Sequence, residues 1–301
     1  MKAVAFHSPG PPDVLQVMDV EDPTPGIGEV RVKVKAAGVQ PYDCAVRSGK
    51  LRISSQSPQI IGNEFAGVID MIGEGVEDFA VGHEVLGWCL LSCYAEYVVV
   101  PTTQIVKKPQ SMSWEEAGAL SASGQTAHTA LQKLNIRKGE TVLIHAAAGG
   151  VGTIAVQLAR AWGATVIGTA SPYNHDYLRS LGAIPVTYGE GFVERVRKLA
   201  PNGVDAAFDA AGEEALRASV ELVTDRKRIG TIASFELSEK LGTVTIYSDR
   251  NVSRLFELIR LYEQGLLRVF ISKSYPLHQA AEAHRAIETR HVRGKIVLLI
   301  D

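Results

Sequence analysis

A glycine-rich turn between two apolar segments is the part of the sequence whose residue types and spacing best define a chemistry. Residues 141–145 have strand propensity, 147–152 (AAGGVG) form the turn, and 164–169 are a second apolar run with strand propensity. Apolar residues at helical spacing lie between them. Free N–H groups at the start of such a helix bind anions such as a pyrophosphate. The turn therefore predicts a dinucleotide site at Ala148, Gly149, Gly150 and Val151.

The turn departs from the usual G-x-G-x-x-G fingerprint at one position. Ala147 stands at the first glycine, so the match is A-x-G-x-x-G through Gly149 and Gly152. Without the strand before it and the helix and strand after it, the same turn would be an ordinary tight connection. That context favours cofactor binding over the plain turn.

The elements that position this turn change character along the chain. The first third has short alternating runs, such as 30–36 (VRVKVKA), separated by glycines and prolines, which predicts a small β barrel or sandwich. A capping box at Ser113 and Glu116 opens a long helix, after which strands and helices alternate. Predicted strands are 141–146, 164–170, 184–187, 204–208 and 227–232, and predicted helices are 151–162, 174–181, 191–200 and 213–223. The α/β alternation predicts a parallel, doubly wound sheet of the Rossmann type.

The C-terminal part predicts a discontinuous first domain. Segments 251–264 and 278–289 have helical patterns, and 294–300 (GKIVLLI) is a terminal strand that can rejoin the first sheet. We therefore predict one domain from 1–118 and 267–301, with a nucleotide-binding domain at 119–266 inserted into it.

Composition excludes several classes of protein. The net charge is −2, so no global basic field points to nucleic acid. No apolar run approaches the roughly 20 residues of a membrane span, and residues 1–15 contain prolines and no apolar core, so no signal peptide is expected. Three cysteines in 301 residues indicate a reducing, cytoplasmic setting rather than a disulfide scaffold.

Seven motifs, in the same order along the chain, resemble those of one family. They are 38–43 (GVQPYD) with Arg47 and Gly49, 62–67 (GNEFAG), 94–97 (YAEY), 124–127 (GQTA), the 146–152 turn, 174–183 and 293–298 (RGKIVL). Together they resemble the medium-chain dehydrogenase/reductase superfamily, in its zinc-free quinone oxidoreductase-like branch. The resemblance implies a GroES-like β-barrel domain with an inserted Rossmann domain. In that branch the turn commonly carries alanine where this chain has Ala147.

The resemblance also implies that no metal is bound. Zinc-dependent relatives have a cysteine at the position of Gln40 and a histidine at that of Asn63, and amides are poor zinc ligands. Cys89 and Cys93 lack two further ligands nearby, so they are predicted to be ordinary reduced thiols rather than a metal site.

The second strand of the nucleotide unit bears on the coenzyme. It ends without the Asp or Glu that binds the ribose diol of NAD, which favours NADP(H) over NADH. The residues predicted for the 2′-phosphate are Ser171, Asn174 and Tyr188, with charge added by Arg293 and Lys295. Ser171 and Asn174 could equally be a helix cap and a loop polar group.

The remaining site residues follow from strand ends and from the resemblance. Ala211, Gly212, Ile232 and Ser234 follow two successive strands and are predicted to face the nicotinamide half, because ligands bind at such carboxyl ends. Thr126 lies against the cofactor in relatives, although a helix hydroxyl can instead bond its own backbone. The acceptor oxygen is assigned to Tyr42, Gln40 and Asn63. Tyr42 could instead fill a cleft wall, and the two amides could only hold loop backbone.

The function predicted from these features is zinc-independent hydride transfer from NADPH to a quinone or an α,β-unsaturated carbonyl. A non-catalytic NADP-binding protein and an enoyl reductase acting on carrier-bound substrates remain alternatives. Segment 241–247 (LGTVTIY) is predicted to be a strand that pairs across a homodimer, because an exposed edge is a ready pairing surface.

Overall fold

The computed structural model describes residues 1–54 and 57–301. The chain divides into two compact units. The first comprises Met1–Ala122, Asn251–Ile259 and Val269–Asp301, and the second Ser123–Arg250 and Arg260–Arg268. The predicted domain boundaries differ chiefly in placing 251–259 with the nucleotide-binding part, and they stay a prediction.

The N-terminal elements are mainly strands. They are β1 (Lys2–Phe6), β2 (Gln16–Asp19), β3 (Glu29–Val39), α1 (Pro41–Arg47), β4 (Gln59–Ile60), β5 (Phe65–Ile72), β6 (Glu84–Gly87), β7 (Tyr97–Pro101), β8 (Ile105–Lys107) and α2 (Trp114–Lys133). The capping box opens α2 as predicted: Glu116 N donates to Ser113 Oγ and Ser113 N donates to Glu116 Oε2, each at 3.2 Å.

Strands and helices alternate through the middle of the chain. The elements are β9 (Thr141–Ile144), α3 (Gly150–Ala161), β10 (Thr165–Thr169), α4 (His175–Ser180), β11 (Ile184–Val186), α5 (Phe192–Leu199), β12 (Ala206–Asp209), α6 (Glu213–Leu222), β13 (Ile229–Thr231), α7 (Phe235–Leu241) and β14 (Val244–Thr245). All strand pairs in this sheet are parallel, in the order β11-β10-β9-β12-β13-β14. The predicted α/β doubly wound sheet is confirmed.

The last elements return to the first unit. They are α8 (Val252–Glu263), β15 (Ile271–Pro276), α9 (Ala280–Glu288) and β16 (Lys295–Leu299). β16 pairs antiparallel with β3, Val297 opposite Gly38, so the terminal strand rejoins the N-terminal sheet as predicted. That sheet has the order β15-β16-β3-β5-β6-β8, with β7 also on β3, and a smaller sheet has the order β2-β1-β4. A buried apolar cluster that includes Phe6, Phe65 and Tyr94 draws on both sheets.

Two local predictions need correction. Segment 241–247 is not one strand, because α7 runs to Leu241 and ends at Gly242, whose φ of 68° closes the helix. Only Val244–Thr245 is extended and paired. The segment after Val39, expected to be a loop, is α1, with Gln40 as its N-cap and Asp43 Oδ2 accepting from the Gln40 N–H at 2.8 Å.

Candidate functional site

The glycine turn is held against the end of β10. Ala147 N donates to Thr169 O at 2.9 Å, and Ala146 N donates to Thr169 Oγ1 at 3.1 Å. Ala146 has a φ of 51°, which turns the chain sharply after β9. Thr169 therefore holds the turn from the neighbouring strand. The bond to its side chain joins residues that are 23 positions apart in the sequence.

Close packing explains which glycines this turn keeps. A Cβ on Gly152 would lie 2.2 Å from Ala146 O and 2.8 Å from Ala147 Cα, both backbone atoms. A Cβ on Gly168 in β10 would lie 2.9 Å from the Cβ of Ala147. The methyl group of Ala147 is thus accommodated by the absence of one at Gly168. This accounts physically for the alanine at the first fingerprint position.

The start of α3 suits an anionic group. Its N-cap, Gly149, has no side-chain cap, and the first helical residues are Gly150 and Val151. A Cβ on Gly149 would meet only Ala146 O, at 3.3 Å, so the space beside it is open. Ala148 is buried while the next three residues are half-buried. N–H groups of a helix start beside open space fit a pyrophosphate.

The residues predicted for the 2′-phosphate lie on two neighbouring loops. Asn174 Nδ2 donates to Ser171 Oγ at 3.4 Å, and Tyr188 is 56% exposed. His175 Nε2 lies 3.3 Å from Thr187 Oγ1, which joins the two loops.

Arg195 holds the second of these loops in place, and it was not predicted from the sequence. Its guanidinium donates to Thr187 O at 3.0 Å and to Glu190 O at 2.6 Å. A cation that points back from the next helix onto a loop has no short-range sequence signal.

The loops after β12 and β13 are built around Asp209 and Thr231. Asp209 Oδ1 accepts from Ala211 N at 2.8 Å and Gly212 N at 2.9 Å, and Asp209 O accepts from Ile232 N at 3.0 Å. The predicted residues Ala211, Gly212, Ile232 and Ser234 are therefore brought together. Asp209 and Thr231 were not predicted, although both end a buried strand at the ligand-binding edge.

Ser234 carries a buried hydroxyl that no other group of the described chain satisfies. It is 7% exposed, and its Oγ is buried without a hydrogen-bond partner within the described chain. A buried hydroxyl without a partner costs free energy, so natural sites usually provide one. This unsatisfied hydroxyl fits a polar group of a bound cofactor.

Thr126, also in this unit, is half-buried on α2.

In the first unit, a buried carboxylate gathers three donors. Glu64 is fully buried and accepts from the Gln40 amide, from Ala122 N at 2.6 Å and from Lys295 Nζ at 2.9 Å. Lys295 is 3% exposed. Its ammonium is paired with Glu64 in the interior and cannot reach a bound phosphate. The prediction of Lys295 as a phosphate ligand is therefore wrong.

The other first-unit residues differ in accessibility. Gln40 and Asn63 are 7% and 2% exposed, whereas Tyr42 is half-buried on α1. Arg293 lies over the Phe270 ring, 5.6 Å from its centroid. Tyr42 is therefore the most accessible of the three side chains assigned to the acceptor.

A second buried polar cluster lies behind α1. Tyr94 Oη donates to Asp43 Oδ2 at 3.0 Å and lies 3.4 Å from His284 Nε2, whose Nδ1 lies 3.4 Å from Cys44 Sγ. Burial raises the pKa of Asp43 to about 7 and lowers that of His284 to about 3. The cluster joins α1 to α9 through groups that are mostly uncharged at neutral pH.

The described part of the chain has neither a metal-binding cluster nor a membrane-spanning helix. Residues 1–54 and 57–301 contain no group of three or more His, Cys, Asp or Glu placed to hold a metal ion. Within the same ranges, no helix is long and apolar enough to cross a membrane.

Comparison with protein families matches most of the chain. Residues 26–110 match the family described as alcohol dehydrogenase GroES-like domain, and residues 181–298 match the one described as zinc-binding dehydrogenase.

Individual relatives match over the full length. A 2-haloacrylate reductase from Burkholderia sp is 32% identical, covering 99% of this chain and 98% of the relative. The solved structure of an NAD-dependent alcohol dehydrogenase is 33% identical with a TM-score of 0.92, covering 100% of each chain. The Escherichia coli quinone oxidoreductase complexed with NADPH is 26% identical with a TM-score of 0.90, covering 99% of this chain and 100% of that one. The chain belongs to the medium-chain dehydrogenase/reductase superfamily, in its quinone oxidoreductase-like branch.

Proposed function

We propose that this chain is a zinc-independent, NADPH-dependent oxidoreductase that transfers hydride to a quinone or an α,β-unsaturated carbonyl. The observation that carries the proposal is the uncapped start of α3 beside open space, in a sheet whose second strand ends without a carboxylate. A carboxylate there would bind the ribose diol of NAD and repel a 2′-phosphate.

The second unit would hold the cofactor through distinct groups. Gly150 and Val151 would offer N–H groups to the pyrophosphate, with Ala148 and Gly149 leaving it room. Ser171, Asn174 and Tyr188 would bind the 2′-phosphate, and the assignment of Arg293 stays a prediction. Thr126, Ala211, Gly212, Ile232 and Ser234 would orient the nicotinamide half. Bound NADPH would supply the hydride.

The first unit would supply the hydrogen-bond donor for the acceptor oxygen. We assign this role to the Tyr42 hydroxyl, because Tyr42 keeps accessible surface. Gln40 donates to Glu64, so its part is to hold the N-terminus of α1. Asn63, nearly fully buried, is kept with Gln40 as a supporting residue.

Zinc independence is supported by charge as well as ligand type. The Glu64 carboxylate is already neutralised by Lys295 at 2.9 Å. A dication beside this pair would meet an ammonium group, and the neighbouring amides of Gln40 and Asn63 are weak ligands.

The acceptor class is supported by two relatives. One is named a quinone oxidoreductase and the other a 2-haloacrylate reductase, a name that describes reduction of a substituted acrylate. Both kinds of acceptor take hydride without strong polarisation by a metal.

We also propose a homodimer and a cytoplasmic location. β14 lies at the edge of its sheet, and the exposed rings of Phe235 and Tyr247 lie 5.2 Å apart near it. None of the three cysteines forms a disulfide within the described residues, which fits a reducing compartment.

The experiment has two parts. NADPH and NADH are titrated side by side into the metal-free protein, and the loaded protein is then offered a panel of quinones and enones in the presence of a chelator. Tighter NADPH binding and acceptor-dependent oxidation that survives chelation are expected. Tighter NADH binding would reverse the coenzyme assignment, and tight binding without turnover would make the chain a non-catalytic NADP-binding protein.

A further inference from the structure

One buried carboxylate organises both loops at the nicotinamide end of the proposed cofactor site. Asp209, fully buried at the end of β12, uses Oδ1 to accept two N–H bonds from its own loop. Its Oδ2 accepts from Thr231 Oγ1 at 2.6 Å. Thr231 ends β13 and lies opposite Asp209 in the register of the two strands.

The direction of the Asp209–Thr231 bond is fixed by what else the hydroxyl binds. Thr231 Oγ1 also accepts from Ala233 N at 2.9 Å and from Ser234 N at 3.1 Å. A hydroxyl has one hydrogen and two lone pairs. With both lone pairs engaged by N–H groups, its hydrogen goes to Asp209. The loop of 232–234 is thereby tied to the carboxylate that shapes 210–212.

The consequence is that three proposed cofactor contacts depend on two side chains that are not themselves contacts, and a fourth depends on the backbone of one of them. Ala211 and Gly212 are held by Asp209 Oδ1, Ile232 by the Asp209 carbonyl, and Ser234 by Thr231. Ser234 is held so that its Oγ has no partner within the described chain. A network that satisfies loop N–H groups internally while leaving one hydroxyl unsatisfied is arranged for an external ligand.

We propose that Asp209 and Thr231 are positioning residues for the nicotinamide half of the cofactor. The inference rests on the proposed function, since it assumes that the cofactor is NADPH. It adds that binding of the reactive end is set by this pair independently of the adenosine end.

The test compares two ligands on the full chain by calorimetry. NADPH carries both halves, whereas adenosine 2′,5′-bisphosphate carries the adenosine and the 2′-phosphate without the nicotinamide half. The variants are Asp209→Asn, Thr231→Val and, as the conservative control, Thr231→Ser. Wild-type binding of NADPH measures the proposed function, and the ratio of the two affinities across variants measures the positioning role, so the two can fail separately.

Asp209→Asn and Thr231→Val are expected to lower the affinity for NADPH about tenfold, which is the effect of losing one or two buried hydrogen bonds. The affinity for the bisphosphate is expected to change less than about twofold. Thr231→Ser keeps the hydroxyl and should bind NADPH as the wild type does. Equal weakening of both ligands would mean that the pair acts on the whole unit. That result, an unchanged NADPH affinity, or a Thr231→Ser variant as weak as Thr231→Val would overturn the inference.

Discussion

Lys295 and Glu64 form a buried ion pair in the first unit, with Nζ 2.9 Å from Oε1 and side-chain exposures of 4% and 0%. Removing one partner of a buried pair leaves an uncompensated charge. Lys295→Met should therefore lower the free energy of unfolding by about 3–5 kcal/mol. Glu64→Gln combined with Lys295→Met should recover part of the loss in urea unfolding.

The matched control for this pair is Lys2→Met. Lys2 forms an ion pair with Asp19 at 2.7 Å, but both side chains are exposed. Its removal should leave the urea midpoint unchanged, because exposed pairs contribute little. Equal effects of Lys2→Met and Lys295→Met would contradict the assigned importance of burial.

Substituting the two glycines of the turn should have different effects on stability and on NADPH binding. Gly152→Ala drives a methyl group into backbone at 2.2 Å and should cost about 1–3 kcal/mol of stability as well as cofactor binding. Gly149→Ala meets only Ala146 O at 3.3 Å, so it should fold with near-normal stability yet bind NADPH poorly. Thermal unfolding and NADPH titration of both variants check this, and normal NADPH binding by Gly149→Ala would remove the pyrophosphate from this turn.

The orphan hydroxyl of Ser234 predicts an unusual variant. Because Oγ has no partner in the described chain, Ser234→Ala should not destabilise the unliganded protein. NADPH affinity should nonetheless fall about three- to tenfold, the worth of one hydrogen bond.

Ser238→Ala is the control on the same helix. Ser238 Oγ lies 2.8 Å from Thr243 Oγ1, so this variant should lose stability and keep its affinity. Differential scanning calorimetry with and without NADPH separates the two. If Ser234→Ala loses as much stability as Ser238→Ala, Ser234 is a structural hydroxyl and not a ligand.

The buried Asp43 should make stability depend on pH. Burial raises its pKa in the folded protein to about 7 from an ordinary value of 3.8. Between these two pH values the folded state holds more protons than the unfolded state. The contribution of Asp43 to the free energy of unfolding is therefore fully present below about pH 4 and is lost as the pH rises to about 7.

Asp43→Asn keeps an oxygen that can accept from Tyr94 Oη and Gln40 N. Its stability relative to the wild type should therefore grow as the pH rises from about 4 to about 7 and then level off. Urea unfolding of the two proteins at a series of pH values measures this. A difference that does not change with pH would show that Asp43 does not titrate in this window.

The edge of the second sheet should control assembly. Ile246 N donates inward to Thr231 O at 2.9 Å, so by strand alternation the N–H of Thr245 points outward. Thr245→Pro removes that outward donor without removing a bond to β13. Light scattering at micromolar protein should give a dimer mass for the wild type and a monomer for the variant. A wild-type monomer would refute the proposed assembly.

Local pattern in the sequence was enough to predict the parallel sheet, the glycine turn and the strand-end loops. Each of these signals lies within a few residues: the apolar runs, Gly149 with Gly152, and the capping box at Ser113. The return of β16 to β3 was predicted from the terminal apolar strand. These features need no knowledge of distant contacts.

Contacts between distant residues explain what could not be predicted. Lys295 was assigned to a phosphate because its partner, Glu64, lies 231 positions away. Thr231 lies 22 positions from Asp209, and neither side chain has a local motif. In segment 241–247, strand propensity was overridden by the end of α7 at Gly242. Burial and long-range pairing decided the first two cases, and the left-handed glycine that ends α7 decided the third.

The placement of Cys44 and Cys93 has a consequence for chemical durability. Quinones and enones, the acceptors proposed for this chain, alkylate thiolates. Cys93 is fully buried, and burial also raises the pKa of the Cys44 thiol, which keeps it protonated and unreactive. Only the half-buried Cys89 departs from this arrangement. Two of the three thiols of the first unit are thus held in a form that resists alkylation by the proposed acceptors.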